Sequence, residues 1–171
     1  MKFRILLLLC IIFPVCAVLA QTGKAYNVKS PDGKVSITVT AGGTVNWSVK
    51  HGDTEVILPS EISMTLGNGE VLGKNAGVKK AATSSADQVI STPVYKKESV
   101  KDNYNQLTLT LKGDYGLIFR AYNDGAAYRF FTQKKGEITV VNEAANFNFK
   151  DDDKALLPFV NDYRNKDKFN I

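Results

Sequence analysis

The residues of this chain that could do chemistry are few and scattered. Six glutamates, Glu55, Glu61, Glu70, Glu98, Glu137 and Glu143, fall at strand ends or on polar faces. Acid–base cleavage of a glycoside needs two carboxyl groups about 5–9.5 Å apart across the sugar. Nothing in the glutamate spacing singles out such a pair, so a solvated surface carboxylate is the better reading of each. His51 is the only histidine and lies in a glycine-containing turn. A histidine-based triad and a multi-histidine metal site are thereby excluded. Asp151-Asp152-Asp153 runs straight into Lys154. A calcium loop alternates its ligands and bends back at a glycine, so this run reads as a solvated turn. The residues assign no catalytic, metal or cofactor role to any side chain.

Two arginines are the exception to this blandness. The stretch FRAYNDGAAYRFF, Phe119–Phe131, places Arg120 and Arg129 on the two arms of an Asn-Asp-Gly hairpin. A two-residue Asp124-Gly125 loop would set Arg120 opposite Arg129. Phe119, Ala121, Tyr128 and Phe130 then share one apolar face. Ile118, Arg120, Tyr122, Ala127, Arg129 and Phe131 share the other. Opposed guanidiniums repel unless an anion lies between them. A three-residue loop would pair Arg120 with Tyr128 instead. Two readings stay open: a solvated face with the arginine stems lying along the sheet, or a half-buried face whose planar forks bind carboxylates of a neighbouring element or domain. Among the aromatics, Trp47 shares the parity of Val45 and Val49 and reads as core, whereas Tyr122, beside the turn, reads as the most exposed ring.

The chain that must position these residues divides simply. Lys2 and Arg4 precede an apolar run, Ile5–Ala20, that ends in Val18-Leu19-Ala20. A spanning helix needs roughly 20 apolar residues, so residues 1–20 read as a cleaved export signal. The only cysteines, Cys10 and Cys16, leave with it. Export without disulfides suits a bacterial periplasm or cell surface. Removing Lys2 and Arg4 takes 22 basic residues to 20 against 17 acidic, so the net charge falls from +5 to +3. The lysine pairs are scattered and form no basic stripe with interleaved aromatics, which argues against nucleic acid as a partner. Residues 21–171 form one domain.

Within that domain the hydrophobic period is two almost everywhere. Val35, Ile37 and Val39 alternate with polar residues, as do Val45, Trp47 and Val49, then Ile62, Met64 and Leu66, then Leu107, Leu109 and Leu111. Turn signals recur at intervals of roughly 8–12 residues, the pattern of an antiparallel β-sandwich. The fold class is all-β. Only Ala76–Asp87, small and polar, fits a strand edge or a loop equally well.

Six stretches in order carry a resemblance: SPDGK at Ser30–Lys34, the Pro59-Ser60 step, YNQL at Tyr104–Leu107, FRAYNDGAAYRF at Phe119–Phe130, Glu143 followed by FNF, and NDYRNKDKF at Asn161–Phe169. Together they resemble the N-terminal domain of glycoside hydrolase family 97, bacterial exo-acting α-glucosidases and α-galactosidases. The family tends to carry an acidic residue where Gln106 stands and a second aspartate at Asn123. The resemblance implies a galactose-mutarotase-like super-sandwich that precedes a catalytic (β/α)8 barrel. It places the general acid, the nucleophile or base and a calcium site outside these residues, so that calcium belongs to a full-length parent. By this reading the sandwich is incomplete at its C-terminal end and poorly stable alone. Arg120, Arg129 and Tyr122 then become candidates for an interdomain interface with the barrel, and oligosaccharide a candidate ligand. The alternatives are a free-standing carbohydrate-binding module and a structural surface sandwich.

Overall fold

Alternating side chains give each strand one apolar edge, and two sheets of such strands bury those edges against each other. A computed structural model describes residues 23–92, 97–152 and 154, together with the backbone of 159–160 and 169–170. The export signal assigned to 1–20 and most of the NDYRNKDKF stretch lie outside the described residues. Every regular element among the described residues is a strand. The first sheet is built from β1 (Lys24–Lys29), β2 (Val35–Ala41), β3 (Val45–His51), β4 (Thr54–Leu66) and β10 (Val140–Ala145), side by side in that order. The short β5 (Val71–Leu72) also pairs with β4. The second sheet is a meander of β6 (Val78–Ser91), β7 (Ser99–Leu111), β8 (Tyr115–Tyr122) and β9 (Gly125–Thr132). All these pairings are antiparallel. A separate pair joins β11 (Phe159–Val160) to β12 (Phe169–Asn170).

The core lies between the two sheets and follows the period-two pattern. Val35, Ile37 and Val39 from β2 and Val45, Trp47 and Val49 from β3 meet Leu107, Leu109 and Leu111 from β7 and Leu117, Phe119 and Ala121 from β8. Trp47 is 2% exposed and Phe119 wholly buried. The sheets are staggered. β1 lies over β7 and β8, and β2 lies over β8 and β9. At one side β6 therefore overhangs, exposed along almost its whole length.

The structure corrects the hairpin register. Tyr122 pairs with Gly125, so the two-residue loop is Asn123-Asp124 rather than Asp124-Gly125. Arg120 faces Ala127 and Arg129 faces Ile118. Neither expected pairing of Arg120 occurs. The faces survive because the shift is by two residues, and only an odd shift moves side chains across a sheet. The turn does not use positive φ at Asn123, Asp124 or Gly125. The ambiguous Ala76–Asp87 segment resolves as the start of β6 from Val78 onward. It lacks an alternating apolar pattern because, beyond Val78, it packs nothing into the core.

One glycine governs the outer face of the second sheet. Gly116 pairs with Phe131 across β8 and β9. A Cβ built there would overlap the Leu109 carbonyl oxygen and the Phe131 ring. The ring lies over bare backbone. Gly116→Ala is expected to destabilise the protein by about 1–3 kcal/mol through overpacking, measured as a fall in the urea midpoint at unchanged slope.

Candidate functional site

Ile118, Arg120 and Tyr122 project from β8 onto the outer face of the second sheet, beside Arg129 from β9. With Ala127 and Tyr128 they line a shallow depression of about 150 Å³. Antiparallel pairing sets Gln106 of β7 opposite Arg120, and Tyr104 opposite Tyr122. The guanidinium carbon of Arg120 stands 4.1 Å from the centre of the Tyr104 ring. Its Nε donates to Gln106 Oε1 at 2.9 Å. The Gln106 amide in turn donates to Thr108 Oγ1 at 3.1 Å. This explains why Tyr104 is nearly buried although it lies on the outer face. Tyr122 is half-buried rather than exposed. Its ring lies 5.3 Å from that of Tyr104, and its hydroxyl donates to Asp102 Oδ1 at 3.5 Å.

The face carries an excess of positive charge: Asp102 stands near Arg120, but neither arginine forms an ion pair among the described residues. The four ion pairs formed among the described residues all use lysines: Lys50–Glu55, Lys79–Asp114, Lys101–Asp87 and Lys134–Glu70. Burial disfavours the Arg120 charge, but the Tyr122 side chain, Tyr104 and the Asp102 carboxylate more than offset it and hold the guanidinium above the ordinary arginine value. Gln106, standing where the resembled family tends to carry an acid, orients Arg120 without neutralising it. Arg129, opposite Ile118, is exposed. What this face offers is a pair of planar cations on a half-apolar floor, a surface suited to carboxylates.

Among the described residues no group of three or more His, Cys, Asp or Glu side chains converges on one point. Asp151 and Asp152 are exposed, while Asp153 lies outside the described residues. His51 is exposed at the end of β3.

The short motifs do something else: they meet in pairs and staple the sandwich. The Asp32 N–H of SPDGK donates to Asn123 Oδ1 of the hairpin turn at 3.1 Å, joining the two sheets at one end. The Asn148 N–H of FNF donates to Ser60 Oγ at 2.9 Å, and its side-chain amide donates to the Pro59 carbonyl at 2.9 Å. That clamp fixes the irregularity in β4 next to Trp47. Asn105 of YNQL donates to the Lys29 carbonyl at 2.9 Å. Tyr128 donates to Glu143 Oε1 at 3.0 Å. Burial, reinforced by the Glu143 carboxylate, pushes the Tyr128 phenol well above the ordinary tyrosine value. Sequence spacing could not show these contacts, which join residues up to 91 positions apart.

Staples of this kind on two stacked antiparallel sheets define a β-sandwich domain whose marked residues hold its shape. Residues 28–169 match the family described as Glycosyl-hydrolase 97 N-terminal, and the chain belongs to it. It is 39% identical over 160 residues to the retaining alpha-galactosidase of Bacteroides thetaiotaomicron, a match covering 94% of this chain and 24% of that enzyme. The chain thus spans about a quarter of the length of this curated relative. In fold it is similar to a Glycoside Hydrolase Family 97 enzyme from Pseudoalteromonas sp. strain K8 solved in complex with panose. That likeness has a TM-score of 0.64 and 21% identity over 73% of this chain and 20% of the other. A solved beta-arabinopyranosidase matches with a TM-score of 0.65 and 25% identity, over 72% of this chain and 21% of the other.

The turn staple carries a pH signature. The Asp32 carboxyl is held below 3.8, first by the Ser30 hydroxyl and then by the Lys34 N–H. A value depressed on folding stabilises fully above the unfolded value and is lost as pH falls through the folded one. Asp32→Asn should therefore lower the thermal midpoint at neutral pH, and its gap from wild type should close in acid well below pH 3.8.

Proposed function

We propose that this chain is the non-catalytic N-terminal sandwich of an exported α-glycosidase. In this reading it supports a (β/α)8 barrel, on a longer polypeptide, that carries the reacting carboxylates. The observation that carries the proposal is the 39% identity to a retaining alpha-galactosidase across nearly all of this chain. The same relative makes an α-galactoside the favoured substrate class of a parent enzyme. Residues 1–20 direct export to a periplasm or cell surface, and the sandwich is of the mutarotase-like kind. Calcium belongs to the parent and takes no ligand from the described residues. Contact with oligosaccharide is a secondary role for the fold.

The outer face of the second sheet is the surface we assign to the barrel. Arg120 is oriented by Tyr104 and Gln106, feels Asp102 only at a distance, and forms no ion pair with a carboxylate among the described residues. Burying an unpaired guanidinium is costly, so such a face is expected to meet carboxylates. Tyr122 and Ile118 supply apolar area around the charge.

Two measurements test this reading. The purified chain should release nothing above a buffer blank from aryl α-galactosides or α-glucosides, with or without added calcium. Steady turnover would overturn the assignment. Grafted in place of the matching segment of the curated alpha-galactosidase, the chain should support activity. Arg120→Ala in that chimera should lower its thermal midpoint and activity together, because loss of one buried charged partner costs about 2–5 kcal/mol. An Arg120→Ala chimera as stable and active as its parent would remove the arginine face from the interface.

A further inference from the structure

The turn between β4 and β5 holds an electrophile and a nucleophile side by side. Asn68-Gly69 is the only Asn-Gly step in the sequence, and Gly67, Asn68 and Gly69 are exposed. The Asn68 carboxamide carbon is the electrophile, and the Gly69 backbone nitrogen becomes a nucleophile once it loses its proton. A side chain on the second residue would hinder their approach. Gly69 has none, and a Cβ built there would meet nothing within 4 Å. The turn also presets the attack. The Glu70 N–H donates to Asn68 Oδ1 at 3.0 Å, an arrangement that folds the carboxamide back over the Gly69 peptide. The same N–H polarises the amide carbonyl and is placed to receive the negative charge that develops on its oxygen. One bond opposes the reaction: the Gly69 N–H donates to the Leu66 carbonyl at 2.9 Å. That bond lies in an exposed turn, where local opening is easy.

The two Asp-Gly steps differ in chemistry. Asp32-Gly33 and Asp124-Gly125 present carboxyl groups, and an ionised carboxylate is a poor electrophile. The Ser30 hydroxyl and the Lys34 N–H keep Asp32 ionised to a lower pH than usual.

We propose that Asn68-Gly69 is a self-modification site, at which the neutral amide becomes a carboxylate by way of a cyclic imide. Solvent hydroxide removes the Gly69 amide proton, the bond from that nitrogen to Asn68 Cγ forms, and the Cγ–Nδ2 bond breaks to release ammonia. Water then opens the imide at either carbonyl. One opening leaves aspartate in the normal chain. The other leaves isoaspartate, with the backbone rerouted through the side chain. Nothing is oxidised or reduced, and both reacting groups belong to the turn itself. The new carboxylate stands at a depression of about 260 Å³ that Asn68 lines with Lys134, Lys135 and Glu137. Lys134 already pairs with Glu70 at 2.9 Å, so the modified turn sets a second acid beside these lysines. Aspartate keeps an acceptor for the Glu70 N–H. Isoaspartate adds a backbone carbon inside the turn that the Leu66 N–H and the Glu70 carbonyl close at 2.8 Å, and so disrupts that closure.

The intact chain, held in mildly alkaline buffer, tests this by proteolytic mapping and mass spectrometry over time. Emission from the buried Trp47 reports that it stays folded. The peptide spanning Asn68 should gain the mass of an amide-to-acid change before any other asparagine peptide does. Aspartyl and isoaspartyl forms should appear together, the mark of a shared imide, with ammonia released in equal amount. Hydroxylamine, which attacks the imide, should cut the chain between Asn68 and Gly69. Asn68→Gln, whose longer side chain must close a larger ring, should lose both the conversion and the cut. The isoaspartyl product should exchange the Leu66 amide hydrogen faster than Asn68→Asp does. The same chain unfolded in urea shows whether the buffer suffices for the reaction. Conversion in urea with an unchanged Asn68 in the folded chain would overturn the proposal, as would no conversion in either. So would another asparagine reacting first, or aspartate forming without isoaspartate.

Discussion

The lateral offset between the two sheets is the constraint on which the other features depend. Period-two strands give each sheet one apolar face, but the faces do not coincide edge to edge. β1 and β2 pack on β7, β8 and β9, which leaves β6 beyond one margin. Where the sheets overlap, side chains are sealed: Ile37, Val39, Leu109, Leu117 and Phe119 have no exposed surface. Where they do not, aromatic rings remain half-covered. The distribution of burial, of charge and of unsatisfied edges follows from that offset.

Polar contacts then fix the relative position of the sheets, which apolar packing alone would let slide. The Asp32–Asn123 contact pins one end, and Asn148 locks the irregular stretch of β4 at Ser60. At Gly73, the backbone N–H donates to the buried Tyr115 hydroxyl at 3.0 Å and ties the β5 turn to the second sheet. Each contact satisfies a backbone or side-chain group that would otherwise lose hydrogen bonding near the core. The ordered motifs of the family are mostly these anchoring points, so their presence specifies the domain without specifying a reaction.

Sequence periodicity made the fold legible where burial was one-sided. β2, β3, the end of β4, β7 and β8 have alternating apolar residues, and Trp47 falls in the core with Val45 and Val49 as parity demands. Strand β6 was ambiguous because both its faces are wet, leaving composition nothing to record. The Arg120–Arg129 face was legible through parity, but its register was not. The loop is Asn123-Asp124, and glycine, the residue that signals a turn, is instead the first residue of β9. The support of Arg120 by Gln106 and Tyr104 depends on pairing across strands, which a linear reading does not contain.

The margin formed by β6 has a consequence of its own. Tyr122 is the last residue of β8 to pair, opposite Tyr104, so Gln88–Ser91 and Ser99–Asp102 continue as a ribbon of two strands. Among the described residues its side-chain ties include a Gln88–Asp102 hydrogen bond, the Lys101–Asp87 ion pair and the long Tyr122–Asp102 contact to β8. A ribbon anchored so lightly can be nicked by a protease, lengthened or fused to a tag while the packed interior stays as it is.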